Sequence, residues 1–88
     1  MSPEASAAAD PAGHHTRDRL VYMANQIAGF FETQGGGTAA EDTATHLRRF
    51  WEPRMRAAII AHLEAGGAGL EETARAAVAL LGQRAKAG

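Results

Sequence analysis

The chain has 88 residues, with nine Lys and Arg against ten Asp and Glu, and it contains no cysteine. This length allows one small domain, which excludes a two-domain enzyme or a Rossmann unit. The lack of cysteine excludes disulfides, thiolate zinc sites and iron–sulfur ligation by this chain, and the near-balanced charge argues against a dedicated nucleic-acid binder.

The two ends of the sequence differ in composition from its middle. Residues 1–15 contain five alanines, two prolines and no large apolar residue after Met1, so they bury too little to offset the entropy of ordering. They also lack the basic start and apolar middle of a signal peptide, and no run in the chain reaches the ~20 apolar residues of a membrane span. We therefore predict a cytoplasmic protein with no membrane contact, a disordered tail over 1–15, one helical domain over 16–82 and a C-terminal tail over 83–88.

The first predicted helix starts at Thr16, its expected N-cap, and stops near Gln34. The glycine triplet 35–37 predicts a loop, because three glycines strongly destabilise a helix interior. Phe30 lies on the flank of the apolar stripe, and Tyr22 lies nearly opposite it. The stripe itself has the three- and four-residue spacing of an amphipathic helix and consists of Leu20, Met23, Ala24, Ile27 and Phe31.

The second predicted helix begins with a capping box formed by Thr38 and Glu41. Pro53 ends it, because the residue before a proline is pushed out of the helical region. Pro53 also suits the first position of a third helix. The stripe of the second helix has Phe50 beside it and consists of Ala40, Ala44, Leu47 and Trp51.

The third predicted helix ends at Gly66 and Gly67, which form a left-handed C-cap. The fourth runs from Glu71 to Leu81, with acidic residues at its positive end. The sequence therefore predicts an all-α fold, a small bundle of about four short helices. The remaining stripes are Met55, Ala58, Ile59, Ile60 and Leu63 in the third helix, and Leu70, Ala74, Ala77, Val78 and Leu81 at the fourth.

Alanine makes the predicted core thin. The chain has 21 alanines but only 19 larger hydrophobic side chains. At about 25 cal/mol per Å² of buried apolar surface, such a core stabilises the fold weakly. A chain of this kind gains most by docking onto a larger partner.

The residues that could carry chemistry form no catalytic or metal-binding pattern. No two of the histidines are spaced as a helical metal pair, although His46 and His62 could meet across the second and third helices. The acidic pairs lie in predicted first turns, where the helix dipole explains them. We therefore predict no catalytic, cofactor-binding or metal-binding residue in this chain. The histidines are His14, His15, His46 and His62, and the serines, both in the tail, are Ser2 and Ser6.

The segment 48–56 is the densest in charge and contains the tryptophan. It carries four arginines and one acid, and Arg and Trp are enriched in the hot spots of protein interfaces. Three interpretations stay open. Phe50 and Trp51 could form a core hinge with solvated or paired arginines, the segment could dock on a partner protein, or it could bind an RNA or a phosphate-rich cofactor.

Three strings in the sequence resemble a known family. Their order and spacing are similar to those of the delta subunit of the cytoplasmic NAD-dependent, molybdenum-containing formate dehydrogenase. The resemblance covers about Leu20 to Leu81, and the Phe-Trp-x-Pro-Arg-Met-Arg block is its most specific part. The strings are Met23-Ala24-Asn25-Gln26-Ile27-Ala28-x-Phe30-Phe31, His46-Leu47-x-x-Phe50-Trp51-x-Pro53-Arg54-Met55-Arg56 and Gly66-Gly67-x-Gly69-Leu70.

This resemblance implies a non-catalytic partner within a larger enzyme. In that family the alpha subunit holds the bis-molybdopterin-guanine-dinucleotide (bis-MGD) molybdenum cofactor and iron–sulfur clusters. The beta subunit carries FMN and reduces NAD⁺, assisted by a gamma subunit. The delta subunit is a small helical chain bound to the alpha subunit, so the resemblance implies no cofactor bound by this chain itself.

The leading hypothesis is an accessory subunit that binds and stabilises the molybdenum-containing alpha subunit. The alternatives are a transient chaperone for molybdenum cofactor insertion and, in a different class, a small nucleic-acid-binding module that uses the arginines. Arg49 is the best outward candidate, because it lies opposite the stripe of the second helix. The predicted partner-binding residues are Arg48, Arg49, Trp51, Arg54, Arg56 and Tyr22.

Overall fold

The computed structural model describes residues 14–87, which form four α-helices and no strand. The helices are α1 (His14–Glu32), α2 (Ala39–Phe50), α3 (Pro53–Glu64) and α4 (Glu72–Ala87). This arrangement confirms the predicted all-α fold with four short helices. None of these four helices combines the length and the apolar character that crossing a lipid bilayer requires.

The first helix starts earlier than the sequence predicted. Helix α1 begins at His14, so Thr16 lies inside the helix instead of capping it. His14 and His15 are therefore helical and do not belong to a disordered tail. The rest of that predicted tail, residues 1–13, lies outside the described residues.

The last helix continues past its predicted end at Leu81 to Ala87. A single glycine costs a helix only about 1 kcal/mol, and Gly82 is buried where α4 approaches Ile60. Arg84 and Lys86 lie in the last turn, where cations stabilise the negative end of the helix dipole. Residues 83–87 are therefore helical, although the sequence predicted a tail there.

Helix α2 begins without the predicted capping box. Thr38 is its N-cap residue, but the hydroxyl of Thr38 donates to a carboxylate oxygen of Asp42 at 2.9 Å and makes no capping bond to the backbone. The predicted partner Glu41 lies exposed in the first turn. The glycines at 35–37 form the predicted loop, and two of them have positive φ.

The turn between α2 and α3 follows the prediction from Pro53. Glu52 is extended, with φ −68° and ψ 154°, as the residue before a proline is expected to be. Pro53 is then the first residue of α3. The side chain of Trp51, in the same turn, is 5% exposed and belongs to the core.

Two glycines end α3, as predicted. The amide of Gly67 donates to the carbonyl of His62 at 2.8 Å, and the amide of Gly66 donates to the carbonyl of Leu63 at 2.9 Å. These two bonds define a Schellman motif, which needs positive φ after the helix. Gly66 has a φ of 125° and Gly67 a φ of 68°.

Helix α4 lies at the centre of the bundle and contacts each of the other three helices, α2 most extensively. The predicted stripe of α4 is confirmed in full, since all five of its residues are buried. In α2, Ala44 and Leu47 are buried as predicted, but Phe50 is 69% exposed. Apart from glycines, the stripes missed three buried residues, which are Val21, Ala28 and Thr43.

Asn25 connects α1 to the loop before α4. Its Nδ2 donates to the carbonyl of Gly69 at 2.9 Å, and its Oδ1 accepts from the amide of Glu71 at 2.9 Å. Gly69 has a φ of 87°, and a Cβ built there would lie 3.2 Å from Val21 Cγ1. The loop therefore packs closely on α1, held by one side-chain amide.

Replacing Trp51 by alanine is expected to lower the free energy of unfolding by about 3–5 kcal/mol, because a buried indole leaves a large cavity. The measurement is urea denaturation followed by circular dichroism. Phe50→Ala is the matched control, since Phe50 is the adjacent residue and is 69% exposed. Its expected loss is below about 1 kcal/mol, and equal losses for the two variants would contradict the placement of Trp51.

Replacing Gly67 by alanine is expected to destabilise the fold by about 1–2 kcal/mol through left-handed backbone strain. The added Cβ would also lie 2.9 Å from Leu63 Cδ1 and 3.0 Å from Arg75 Nη1. Gly36→Ala is the control, because the nearest side-chain atom there is Thr38 Oγ1 at 3.8 Å. Thermal unfolding of both variants checks this, and a stable Gly67→Ala would refute the requirement for glycine.

Replacing Thr43 by valine is expected to raise the free energy of unfolding by about 1 kcal/mol. Thr43 is fully buried in α2, and its hydroxyl has no hydrogen-bond partner among the described residues, which costs free energy that valine avoids. Thr45→Val is the control, because the hydroxyl of Thr45 accepts a bond from Arg84 at 3.4 Å. A lower melting temperature for Thr43→Val than for Thr45→Val would contradict the claim that the buried hydroxyl of Thr43 destabilises the fold.

Candidate functional site

The four arginines of the predicted block lie on three different surfaces. Arg48 and Arg56 line one groove together with Arg84. Arg54 lines a second groove, and Arg49 lines a third. Successive helical residues point about 100° apart around the helix axis, so a dense run of arginines does not become one basic patch.

The two aromatic residues of the block have opposite environments. Trp51 is 5% exposed and packs in the core, whereas Phe50 is 69% exposed. The core-hinge interpretation is therefore correct for Trp51 and wrong for Phe50, because Phe50 lies on the outer face of the last turn of α2. The ring of Trp51, a predicted partner-binding residue, is not part of the exposed surface of this chain.

Arg56 joins α3 to the end of α2. Its Nη1 donates to the carbonyl of Arg48 at 3.2 Å and also to the carbonyl of Trp51. Carbonyls at the end of a helix have no partner within it, and a basic side chain satisfies them and interacts favourably with the helix dipole. The guanidinium of Arg56 is thereby oriented at the corner between the two helices.

A groove of about 450 Å³ lies between α3, α4 and the end of α2. Ile60 and Leu81 contribute apolar side chains, and Arg48, Arg56 and Arg84 contribute guanidinium groups. None of the described residues that line it is acidic or aromatic. We call this feature the arginine groove.

Aromatic rings form a row across α1 and α2. The ring centroids of Phe30 and Phe31 are 5.2 Å apart, and those of Phe31 and His46 are 6.2 Å apart. The ring of His46 then contacts that of Phe50 in a tilted arrangement, with centroids 4.7 Å apart and planes inclined by 39°. These separations fall in the range of favourable aromatic pairs, so the row is a continuous, ordered surface.

Tyr22 extends this row along α1. Gln26 Nε2 donates to the hydroxyl of Tyr22 at 2.7 Å, and Gln26 lies four residues before Phe30, so the three side chains share one face of the helix. Tyr22 is 63% exposed and Phe30 is 60% exposed. We call the set Tyr22, Phe30, Phe31, His46 and Phe50 the aromatic surface.

Arg49 lies beside the aromatic surface, in a groove that Phe31, His46 and Phe50 also line. Arg49 is exposed, as predicted for the best outward candidate. Large exposed aromatic side chains with an adjacent arginine are typical of protein interfaces. The sequence flagged Tyr22 and Arg49, but it did not identify Phe30 and Phe31 as parts of one surface.

Arg54 lies in a separate groove of about 500 Å³ between α1 and α3. Leu20, Met55 and Ala58 also line this groove. Leu20 is buried and Met55 is half-buried, so the groove exposes part of the packed junction between the two helices. Arg54 and Arg56 therefore serve different surfaces, although only one residue separates them.

The histidines whose side chains are described have separate partners. His62 Nε2 bonds with the carbonyl of Ala68 at 2.7 Å, whereas His46 belongs to the aromatic surface. Among the side chains that the structure describes, those of residues 16–86, no three His, Asp or Glu converge on a possible metal position. The chain also lacks the cysteines that hold iron–sulfur clusters.

Two polar side chains that the sequence analysis did not single out organise the loop before α4. Asn25 binds backbone groups of Gly69 and Glu71, and Arg75 Nη2 donates to the carbonyl of Gly67 at 3.0 Å. The two backbone partners of Asn25 lie 44 and 46 residues away from it in the sequence. Local spacing carries no signal for contacts of that range.

Comparison with known protein families identifies a match. The family described as the NADH-dependent formate dehydrogenase delta subunit, FdsD, matches residues 19–78. No curated protein and no solved structure matches the chain. The matched range spans all of α2 and α3 and includes the aromatic surface and the corner at Trp51. The chain therefore belongs to the family of delta subunits of NADH-dependent formate dehydrogenase.

Proposed function

We propose that this chain is a non-catalytic accessory subunit that binds and stabilises the molybdenum-containing alpha subunit of NAD-dependent formate dehydrogenase. Membership of the delta-subunit family supports association with that enzyme. In this proposal the cofactors, namely bis-MGD molybdenum, iron–sulfur clusters, FMN and NAD, belong to the other subunits. The chain itself contributes a binding surface for another subunit and no reactive group.

The aromatic surface is the observation that carries the proposal. Tyr22, Phe30 and Phe50 are each at least 60% exposed, although the chain has few large apolar side chains for its core. Burying such rings against a partner removes apolar surface from water at about 25 cal/mol per Å². Tyrosine is also among the residues most enriched in interface hot spots, and phenylalanine is enriched in the cores of interfaces.

The composition of the core indicates that the partner would in turn stabilise this chain. Alanines such as Ala24, Ala44 and Ala74 are fully buried, and the largest fully buried side chains are only Leu47 and Ile59. Alanine contributes little burial per residue, so a partner that binds the folded chain adds to its stability by linkage. We infer that this chain and its partner stabilise each other.

The nucleic-acid alternative has less support from the geometry. A nucleic-acid binder usually carries a basic patch on a strongly basic domain, whereas Arg49 and Arg54 lie in grooves separate from the arginine groove. The chain also has a net charge of −1. The transient chaperone would use the same aromatic surface, so stoichiometry separates it from the accessory subunit.

The test is co-purification from cells that produce the whole enzyme with this chain tagged. We expect the alpha subunit to be recovered with the tagged chain. Phe30→Ala combined with Phe50→Ala is expected to weaken binding at least about tenfold, because two exposed hot-spot rings are lost. Gln83→Ala, an exposed change on α4, is the matched control and should leave recovery unchanged.

Two results would decide against this assignment. Recovery of the chain alone from cells that produce all subunits would refute the accessory role. An enzyme that holds molybdenum only when made with this chain, yet does not contain the chain after purification, would favour the chaperone. Molybdenum content and subunit stoichiometry of the same preparation give both answers.

A further inference from the structure

The arginine groove combines apolar side chains with several guanidinium groups, which the aromatic surface does not. Its accessible apolar part consists of half-buried Ile60 with Pro53 and Ala57, and its charged part consists of Arg48, Arg56 and Arg84. The described lining contains no acidic residue, although the chain as a whole is slightly acidic. Three of the nine basic residues of the chain therefore line this one groove without an acidic neighbour in its described lining.

The three guanidinium groups keep most of their hydrogen-bonding capacity. Each guanidinium has five N–H donors. Arg56 directs Nη1 at two backbone carbonyls, and Arg84 makes a long bond of 3.4 Å to Thr45 Oγ1. Within the described chain the one ion pair joins Lys86 to Glu64, so no carboxylate there neutralises the arginines of the groove.

The occupant that fits is a segment with both apolar and acidic side chains. An apolar side chain can cover Ile60 and Ala57, while carboxylates pair with the arginines in the bidentate geometry that guanidinium favours. A polyphosphate would satisfy the charges but leave the apolar part in water. A nucleic acid would find no aromatic ring in the described lining on which bases could stack.

The groove lies on the side of α2 opposite the aromatic surface. Arg48 is two residues from His46, which places the two side chains about 160° apart around the helix axis. An interface at the aromatic surface therefore leaves the arginine groove open. A second partner segment can bind there at the same time.

We propose that the arginine groove binds an acidic amphipathic segment of another formate dehydrogenase subunit, so that the chain is held from two sides. The proposal rests on the proposed function, because it takes the partner from the same enzyme. The segment is helical or extended, with an apolar residue seated between Arg48 and Arg84 and carboxylates next to it. Helix-in-groove recognition of this kind uses apolar anchors at three- or four-residue spacing.

A photoreactive p-benzoylphenylalanine at Ala85 tests the occupant in cells that produce all subunits. Ala85 is exposed and lines the groove. We expect a cross-link to a peptide of another subunit in which Asp or Glu flank an apolar residue. The control position is Ala76, which is exposed on the same helix but about 180° away around its axis, and it should not give that cross-link. A cross-link to a peptide without acids, to RNA or to a second copy of this chain would overturn the proposal. The absence of any cross-link, when the chain nevertheless co-purifies with the enzyme, would overturn it as well.

Charge reversal tests the electrostatics. Arg48→Glu is expected to weaken affinity for the enzyme assembled without this chain at least about tenfold and to reduce the dependence of that affinity on NaCl concentration. Arg19→Glu makes the same charge change at an exposed position of α1 and should bind like the wild type. Inorganic tripolyphosphate should bind weakly, and tight tripolyphosphate binding that Arg48→Glu abolishes would overturn the proposal.

The two proposals fail differently in this titration. If the wild-type chain does not bind the remaining subunits, the proposed function fails and the groove proposal fails with it. If the wild type binds and Arg48→Glu binds equally well, the proposed function survives and only the groove proposal fails. Circular dichroism of each variant confirms that its helices are intact.

Discussion

The burial of Trp51 at the corner between α2 and α3 is the interaction on which the rest of this structure depends. Pro53 forces Glu52 into an extended conformation, and the turn directs the indole into the core. Arg56 then binds the carbonyls of Arg48 and Trp51, which closes the end of α2 and fixes the orientation of α3. The position of both candidate surfaces depends on this corner, since α2 carries residues of each.

The placement of aromatic residues is the basis for proposing that this small chain binds a partner. The interior is filled largely by alanine and a few aliphatic side chains, so the helices approach closely without large rings between them. Apart from Trp51, the largest side chains are left for the exterior, where Tyr22, Phe30 and Phe50 are exposed. In the proposed function stability and binding are linked, because a partner that covered these rings would also favour the folded state.

The proposed surfaces differ in the kind of recognition they offer. The aromatic surface is broad, and its affinity would come from buried area and from ring contacts. The arginine groove is narrower, and its selectivity would come from carboxylates that match the guanidinium groups. Because Arg48 and His46 point to opposite sides of α2, a partner would hold the chain from both sides, which suits a subunit that stabilises its neighbour.

The sequence by itself determined the helical fold, the turns and most of the core, because those features depend on local spacing. The stripe of α4, the corner at Pro53 and the glycine cap after α3 were all predicted from neighbours within a few residues. Tertiary structure alone decided which arginines share a surface, since Arg84 joins Arg48 and Arg56 only where α4 packs against α3. It also decided that Phe50, which the sequence placed beside the stripe of Trp51, lies outside the core, because the exposure of a residue at the flank of a stripe depends on which helices pack against it.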